Sequence, residues 1–390
     1  MLKSITQMKA IASCFRFFFI TYESVSYGKL SIIDFETKNK THQRGKLFMK
    51  KKGLAVLSMS FMLAGLLAAC GGGDDSATKT SGGGDGDAKD PIVLKLADNQ
   101  PEDYPTVVGD KEFAKLVEEK TNGQVKVEVY AGGQLGDEKS VIEQVQLGTI
   151  DFARVNASPL AEFSKDLGVL SMPYLFRDAD HMWSVLNGEI GEDLLAGMEE
   201  ANMRGLVFYD SGSRNFYNSK HPVEKPEDLK GLKIRVQQSA LVVDMVESLG
   251  ASATPMAYEE VYSGLQTGVI DGAENNYPSY YSVNHYEVAK YFTLDAHSRV
   301  PEILMISSKV WNDLSEEHQK AIKEAAMESQ EAQKTAWADL ENEAKEKVEA
   351  AGNEVVEITD TTPWREAVQP VYDKHGGAYK ENIEKIEAVE

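Results

Sequence analysis

Two arginines are the residues of this chain best suited to hold an acid. Arg235 stands in "GLKIRV", where Leu232, Ile234 and Val236 share one face of a strand and Lys233 and Arg235 share the other. Arg214 stands in "DSGSRNFYNS", a loop just after a strand expected over residues 205–210, and loops at strand ends carry function more often than strands do. A planar guanidinium matches a carboxylate with two parallel hydrogen bonds, so the pair could clamp one. The pattern alone also fits an ordinary solvent-facing Arg235. Catalytic constellations are missing: there is no G-x-S-x-G elbow, no H-E-x-x-H pair and no P-loop. His181, His221, His285, His297, His318 and His375 are scattered without metal-ligand spacing. The glycine-rich "GGGDDS" and "SGGGDGD" lack the preceding strand and following helix of a phosphate cradle. No catalytic residue, metal or cofactor is therefore expected.

The elements that would position these residues alternate. "IVLKLA" (92–97) and "VKVEVY" (125–130) alternate apolar and polar residues as half-buried strands do. Between them Phe113, Leu116 and Val117 share a helical face that stops at Asn122-Gly123. "GLVFYD", "LKIRV" and "EILMIS" (302–307) are further strands, and "SALVVDMVESLG" is a helix with a Ser239 N-cap and a Gly250 stop. This order predicts α/β domains with largely parallel sheets. "QLGTIDFA" (146–153) and "QTGVIDGA" (266–273) share Q-x-G-x-I-D-x-A, each a helix end, a glycine turn and a strand. The echo suggests two lobes on one plan. Asp151 and Asp271 are expected to cap local turns. Asn156 and the pair Asn275-Asn276 lie just past the two strands, where open α/β sheets bind ligands, so facing lobes would bring them to one cleft. From Lys309 to Ala351 the chain is rich in Ala, Glu, Lys and Gln and has no Gly or Pro. With Ser315 as N-cap and Glu316 and Glu317 on the dipole, this is either one helix of about 60 Å crossing both lobes or two helices with a kink.

"MKKKGLAVLSMSFMLAGLLAAC" (49–70) has three lysines, a short apolar run and small residues before Cys70, the layout of a secretory signal. The run is shorter than the ~20 apolar residues of a membrane span. "LLAAC" matches the lipobox of bacterial lipoproteins, which makes Cys70 the lipidated first residue of the mature chain. A buried core helix is the alternative, but residues 70–91 continue as a Gly/Ser/Asp-rich flexible linker. Residues 1–48 then read as a non-native upstream extension and 49–69 as the signal peptide. The extension carries a net +5 and the signal +3, so the chain charge of −21 becomes −29 for the mature part. Such acidity excludes nucleic acid as a partner. Cys14 falls in the extension and Cys70 takes lipid, which leaves no disulfide, and about 300 residues must be held by large cores, usually as two domains.

Together, "GGQLGDEKSVIEQVQLGTIDFA", "GLKIRV", "GASATPMAYEEVYSGLQTGVIDGAENN" and "HYEVAKYFTLDAHSRVPEILMISSKVWNDLSEEHQKAIKEAA" resemble the extracytoplasmic solute-binding subunits of TRAP (tripartite ATP-independent) transporters over residues 92–390. The resemblance implies a two-lobe, periplasmic-binding-protein-like α/β fold with a hinge cleft and a long helix spanning both lobes. Lobe I would hold residues 92–211 with about 300–338, and lobe II 212–299 with about 339–390. It implies an organic-acid ligand whose carboxylate pairs with Arg235, with Arg214 as a second contact. The asparagine of the family's D-G-x-E-N falls on Asn275, the first-lobe contacts on Asn99 and Asn156, and a pocket aromatic on Tyr258. The chain departs from many members in reading "ENNYP" for "ENP", and its "NQPEDYPT" and "VNAS" lie where members vary with ligand. It looks closest to members taking sugar acids such as uronates, and a polar first lobe of Asn99, Glu102, Asp103 and Asn156 suits a polyhydroxy acid. C4-dicarboxylates and 2-keto acids are the alternatives. The implied partners are the small and large membrane subunits of an ion-driven transporter, and the membrane itself through lipid on Cys70. A ligand sensor for a membrane histidine kinase would use the same site. A secreted enzyme would need an acid and base near Arg235, and no such pair is recognisable.

Overall fold

The computed structural model describes residues 90–390. The extension at 1–48, the signal at 49–69, Cys70 and all but the end of the linker lie outside the described residues.

The first strands follow the alternation that announced them: β1 (Ile92–Ala97), α1 (Pro105–Lys120), β2 (Val125–Tyr130), α2 (Glu138–Leu147) and β3 (Phe152–Asn156). After a helical stretch comes β4 (Met203–Tyr209), and then β5 (Arg214–Asn218), β6 (Lys233–Val236), α3 (Ala240–Ser248), β7 (Ser252–Pro255), α4 (Val261–Thr267), β8 (Gly272–Asn275) and α5 (Tyr277–Ser282). The chain closes with β9 (Tyr291–Ser298), β10 (Glu302–Ser307), α6 (Glu316–Ala350), β11 (Glu354–Glu357) and α7 (Gln369–Glu387). These strands make two sheets, β2-β1-β3-β10-β4 and β11-β9-β5-β8-β6-β7. Each has a parallel heart with one order, β2-β1-β3 in the first and β7-β6-β8 in the second. The sheets are mixed, not largely parallel: β10 runs antiparallel to β3 and β4, and β5 antiparallel to β8 and β9. The reason is topological. Both strands enter directly from the other sheet, across Asp210–Ser213 and Arg299–Pro301, without the helix a parallel connection needs. The result is an α/β fold of two lobes joined at two crossings.

The internal echo is structural. Gly148 and Gly268 end α2 and α4 in left-handed conformation, φ 70° and 73°, where glycine carries no Cβ penalty. Ile150 and Ile270 then enter the cores. The aspartates, expected to cap local turns, reach across to a neighbouring strand instead. Asp151 Oδ2 accepts the Lys95 N–H of β1 at 2.7 Å, and Asp271 Oδ2 accepts the Lys233 N–H of β6 at 2.9 Å, so each pins the neighbouring parallel strand.

Helix α6 is one helix of 35 residues, about 50 Å. Ser315 caps it by accepting the His318 N–H, and residues before Leu314 form a separate short helix. Its buried stripe puts Ile322, Ala325 and Ala326 in the first lobe's core with Phe113 and Phe152. Ala344 and Val348 lie in the second lobe's core with Tyr277 and Phe292. Between these sets it grips a crossing: Gln333 accepts the Asp210 N–H at 2.8 Å and donates to the Asp210 carbonyl at 2.9 Å. Gly212 beside it has φ 57°, and a Cβ there would meet the Trp337 ring at 2.9 Å. At α3, Ser239 holds the N-cap position but makes no cap bond; Glu162 Oε1 accepts the Ala240 N–H at 2.7 Å instead. The C-terminal helix α7 also reaches the segment before β4, where Tyr372 donates to the Pro173 carbonyl at 2.8 Å and the His181 ring meets the Ile386 carbonyl at 3.0 Å.

Candidate functional site

The carboxyl ends of β1, β3, β6 and β8 and the amino ends of antiparallel β5 and β10 converge on one narrow cavity with about 20 Å³ of free space. All six expected site residues line it: Asn99, Asn156, Arg214, Arg235, Tyr258 and Asn275. Arg214 is the first residue of β5, not a loop residue; beginning an antiparallel strand just past a crossing puts it at the cleft. Arg235 is buried, 3% exposed. Its strand face, exposed at Lys233, meets the cleft by Arg235. Glu102 and Asp103, expected in the polar first lobe, are surface residues, and Glu102 pairs with Lys111 outside. The chain turns outward after Gln100 to start α1. Arg154, Glu138 and Glu302 were not anticipated and also line the cavity, as do the amides Gln100 and Gln237. Tyr258 is the one aromatic among them, and none is aliphatic.

Three guanidiniums meet three fates. Arg154 on β3 donates to Asp98 at 2.8 Å, to Asn99 Oδ1 at 2.7 Å and to Glu302 at 2.7 Å. Arg214 takes both oxygens of Glu274, the Glu274 carbonyl at 2.9 Å and Asn275 Oδ1 at 3.1 Å. Arg235 donates from Nε to the Met256 carbonyl at 3.0 Å and lies 5.9 Å from the Tyr258 ring centre. Among the described residues it makes no ion pair. Of the two arginines expected to clamp a carboxylate, Arg214 already has one of its own and Arg235 does not. The signal for Arg154 was in the echo: extending the two copies aligns Arg154 with Glu274 and Asn156 with Asn276. Both asparagines cap the next helix, accepting from Ser158 at 3.1 Å and Ser279 at 2.8 Å.

Titration follows from these contacts. Burial opposes ionisation of Glu274, yet Arg214 and His297 outweigh it and hold the carboxyl at about 2. Burial also opposes the charge on His297, but Asp295 and Glu274 raise it to about 9. Glu138, which accepts the Asn156 N–H at 2.9 Å, is pushed up to about 7 by burial and by Glu302. Burial is the leading cause that holds Arg235 below its usual pKa, the mark of a cation lacking a partner. The lobes touch over the cavity, where Tyr104 before α1 and Ser279 on α5 share a hydroxyl hydrogen bond of 2.8 Å.

Residues 96–377 match the family model described as bacterial extracellular solute-binding protein, family 7. The chain belongs to this family. A solute-binding protein of Chromohalobacter salexigens is 43% identical over 70% of this chain and 82% of its own length. A TRAP periplasmic solute-binding protein of Xanthobacter autotrophicus, solved with bound β-D-galacturonate, is 45% identical, with a TM-score of 0.74 over 76% of this chain and 100% of its own. Another from Roseobacter denitrificans, solved with β-D-glucuronate, is 38% identical with a TM-score of 0.75, covering 76% of this chain and 100% of its own. The two-lobe α/β fold is shared with these structural neighbours. Family 7 is extracellular, and among the described residues no helix is long and apolar enough to cross a membrane.

Proposed function

We propose that this family-7 protein captures a uronate outside the cytoplasm and delivers it to the membrane subunits of a TRAP-type transporter. The observation that carries the reading is Arg235, the cavity guanidinium with no carboxylate partner among the described residues. A ligand carboxylate supplies that partner in the fork geometry a guanidinium favours. A monoacid fits better than a dicarboxylate, because Arg154 and Arg214 are already neutralised by Asp98, Glu302 and Glu274. A wholly polar lining suits hydroxyls, and relatives at 45% and 38% identity hold galacturonate and glucuronate. In this reading Arg214, Asn275, Asn156 and Asn99 complete the contacts, and the Tyr258 ring lies against the sugar. The mature net charge of −29 does not oppose capture, since salt screens charges beyond ~8 Å. Lipid on Cys70 would keep the protein beside the small and large membrane subunits. The protein binds and releases its solute unchanged.

Calorimetry with D-galacturonate and D-glucuronate tests the reading. Arg235→Ala leaves the ligand carboxylate buried without its cation, a loss on the order of 3–5 kcal/mol, so affinity falls by at least about a hundredfold. Arg235→Lys also fails, because an ammonium lacks the fork. An Arg235→Ala protein binding within threefold of wild type would sink the proposal.

A further inference from the structure

Six side-chain amides line the cavity, and their oxygens divide sharply. Asn99 Oδ1 accepts from Arg154, Asn156 Oδ1 from Ser158, Asn275 Oδ1 from Arg214 and Asn276 Oδ1 from Ser279. The Oε1 atoms of Gln100 and Gln237 are buried and, among the described residues, have no hydrogen-bond partner. Both residues are only 7% exposed and both face the cavity. Among the described residues the Gln237 carboxamide makes no side-chain hydrogen bond, and the Gln100 carboxamide lies within reach of the Tyr258 hydroxyl while its Oε1 stays unpaired. Gln100 follows β1 on the first sheet and Gln237 follows β6 on the second, so the two orphan acceptors sit on opposite lobes.

We infer that Gln100 and Gln237 are the specificity-determining receptors for ligand hydroxyls, one contributed by each lobe. The inference rests on the uronate reading and names what in the sugar is recognised beyond its carboxylate. Buried polar groups are almost always paired, so two unpaired acceptors in one cavity mark places where a ligand donates. A carboxylate cannot satisfy them, because it has no hydrogen to give. A hydroxyl can, and it can also accept from the amide nitrogen if the carboxamide turns over. With one receptor on each lobe, both are satisfied only when the lobes close on a hydroxylated acid. An acid without hydroxyls reaches Arg235 but leaves both acceptors buried and unpaired, so it is rejected at closure. A site built to hydrogen-bond a hydroxyl discriminates far more strongly than an apolar pocket does.

The test is calorimetry on the full-length protein with D-galacturonate, D-glucuronate and tetrahydropyran-2-carboxylate, which keeps the ring and the carboxylate and has no hydroxyl. Wild type is expected to prefer the better uronate by at least about a hundredfold, since each unpaired acceptor is worth about ten- to a hundredfold. In Gln100→Leu/Gln237→Leu the preference should shrink to less than a tenth of the wild-type ratio. The uronate weakens while the hydroxyl-free acid holds or tightens. If the double variant does not fold, the single-deoxy D-galacturonates are titrated into wild type. At least one should lose tenfold or more, and that same loss should disappear in one of the single variants. Unchanged discrimination in the variants, or no deoxy analogue losing more than threefold, overturns the inference while the uronate reading stands. A wild-type protein that binds neither uronate overturns that reading, and this inference with it.

Discussion

The ends of β3 and β8 are one structure with opposite charge. Each follows a left-handed glycine and an aspartate that pins the adjacent parallel strand, and each leads into an asparagine that caps the next helix. At the matching position the first lobe places Arg154 among Asp98 and Glu302, while the second places Glu274 between Arg214 and His297. The backbone plan repeats and the chemistry is inverted. Arg154 and Glu274 are therefore each paired within their own lobe, and Arg235 is the cavity cation left over. In the proposed reading the binding role therefore falls to it and not to the cavity's other guanidiniums.

The inversion predicts its own most damaging mutation. Glu274 is fully buried, and Glu274→Leu removes the partner of Arg214 and one partner of His297 together. The loss should be on the order of 3–5 kcal/mol, read as a lower urea midpoint. Uronate affinity should also change, because Arg214 would become a second unpaired cation and admit dicarboxylates. A Glu274→Leu protein with wild-type stability and wild-type ligand range would break the comparison.

Much of this was legible in the sequence, and the omissions have physical reasons. Strands with one wet face announced themselves by alternation, and β1 and β2 lie at residues 92–97 and 125–130 as read; β10, fully buried, showed instead as a largely apolar run at 302–307. β5 gave neither signal, because all five of its residues are buried, period two vanishes when both faces are covered, and Arg214, Asn215 and Asn218 break any apolar run. With β5 unread, Arg214 became a loop residue. Arg154 was missed for a second reason: its partners lie 56 and 148 residues away in sequence, beyond any local pattern. The same distance hid Glu302, read only as the start of a strand. Gln100 and Gln237 were illegible because their distinguishing property is a missing contact, which only coordinates can reveal. The six named site residues came from local motifs or from likeness to the family, and they meet in one cavity.

pH separates the lobes next. In the second, His297 titrates near 9 in the fold and near 6.5 unfolded. Its stabilisation is complete below 6.5 and lost as pH rises through about 9. In the first, Glu138 titrates near 7 in the fold and near 4.5 unfolded. The fold holds a proton the unfolded chain has released, so stability falls as pH rises from 4.5 to about 7. His285, lowered to about 3 by burial and Arg235, acts oppositely below 6.5, so variants must be compared with wild type and not read alone. His297→Gln should flatten the stability profile between pH 6.5 and 9 only, and Glu138→Gln between 4.5 and 7 only. Urea titrations in steps of half a pH unit read both, and an effect of His297→Gln well below pH 6.5 or of Glu138→Gln well above pH 7 would deny the lobes their separate charge systems.

The smallest effect probes the scaffold without the charges. Gly148 and Gly268 occupy the same left-handed turn, so alanine at either should lose about 1–2 kcal/mol from the backbone term. Their surroundings differ. A Cβ at Gly148 would lie 3.0 Å from Lys309 Cδ and 3.3 Å from Ser307 Oγ, whereas none falls within 4 Å at Gly268. Lys309 can swing aside, so Gly148→Ala should exceed Gly268→Ala by only a few tenths of a kcal/mol, within the ~0.5 kcal/mol range of ordinary surface changes. Urea unfolding of the two variants side by side measures this. Near-equal losses mean that the turn conformation sets the requirement for glycine and the repeat is mechanical as well as visual. If Gly268→Ala were silent while Gly148→Ala was severe, contact with Lys309 and Ser307 would be the cause, and the two turns would be alike in shape only.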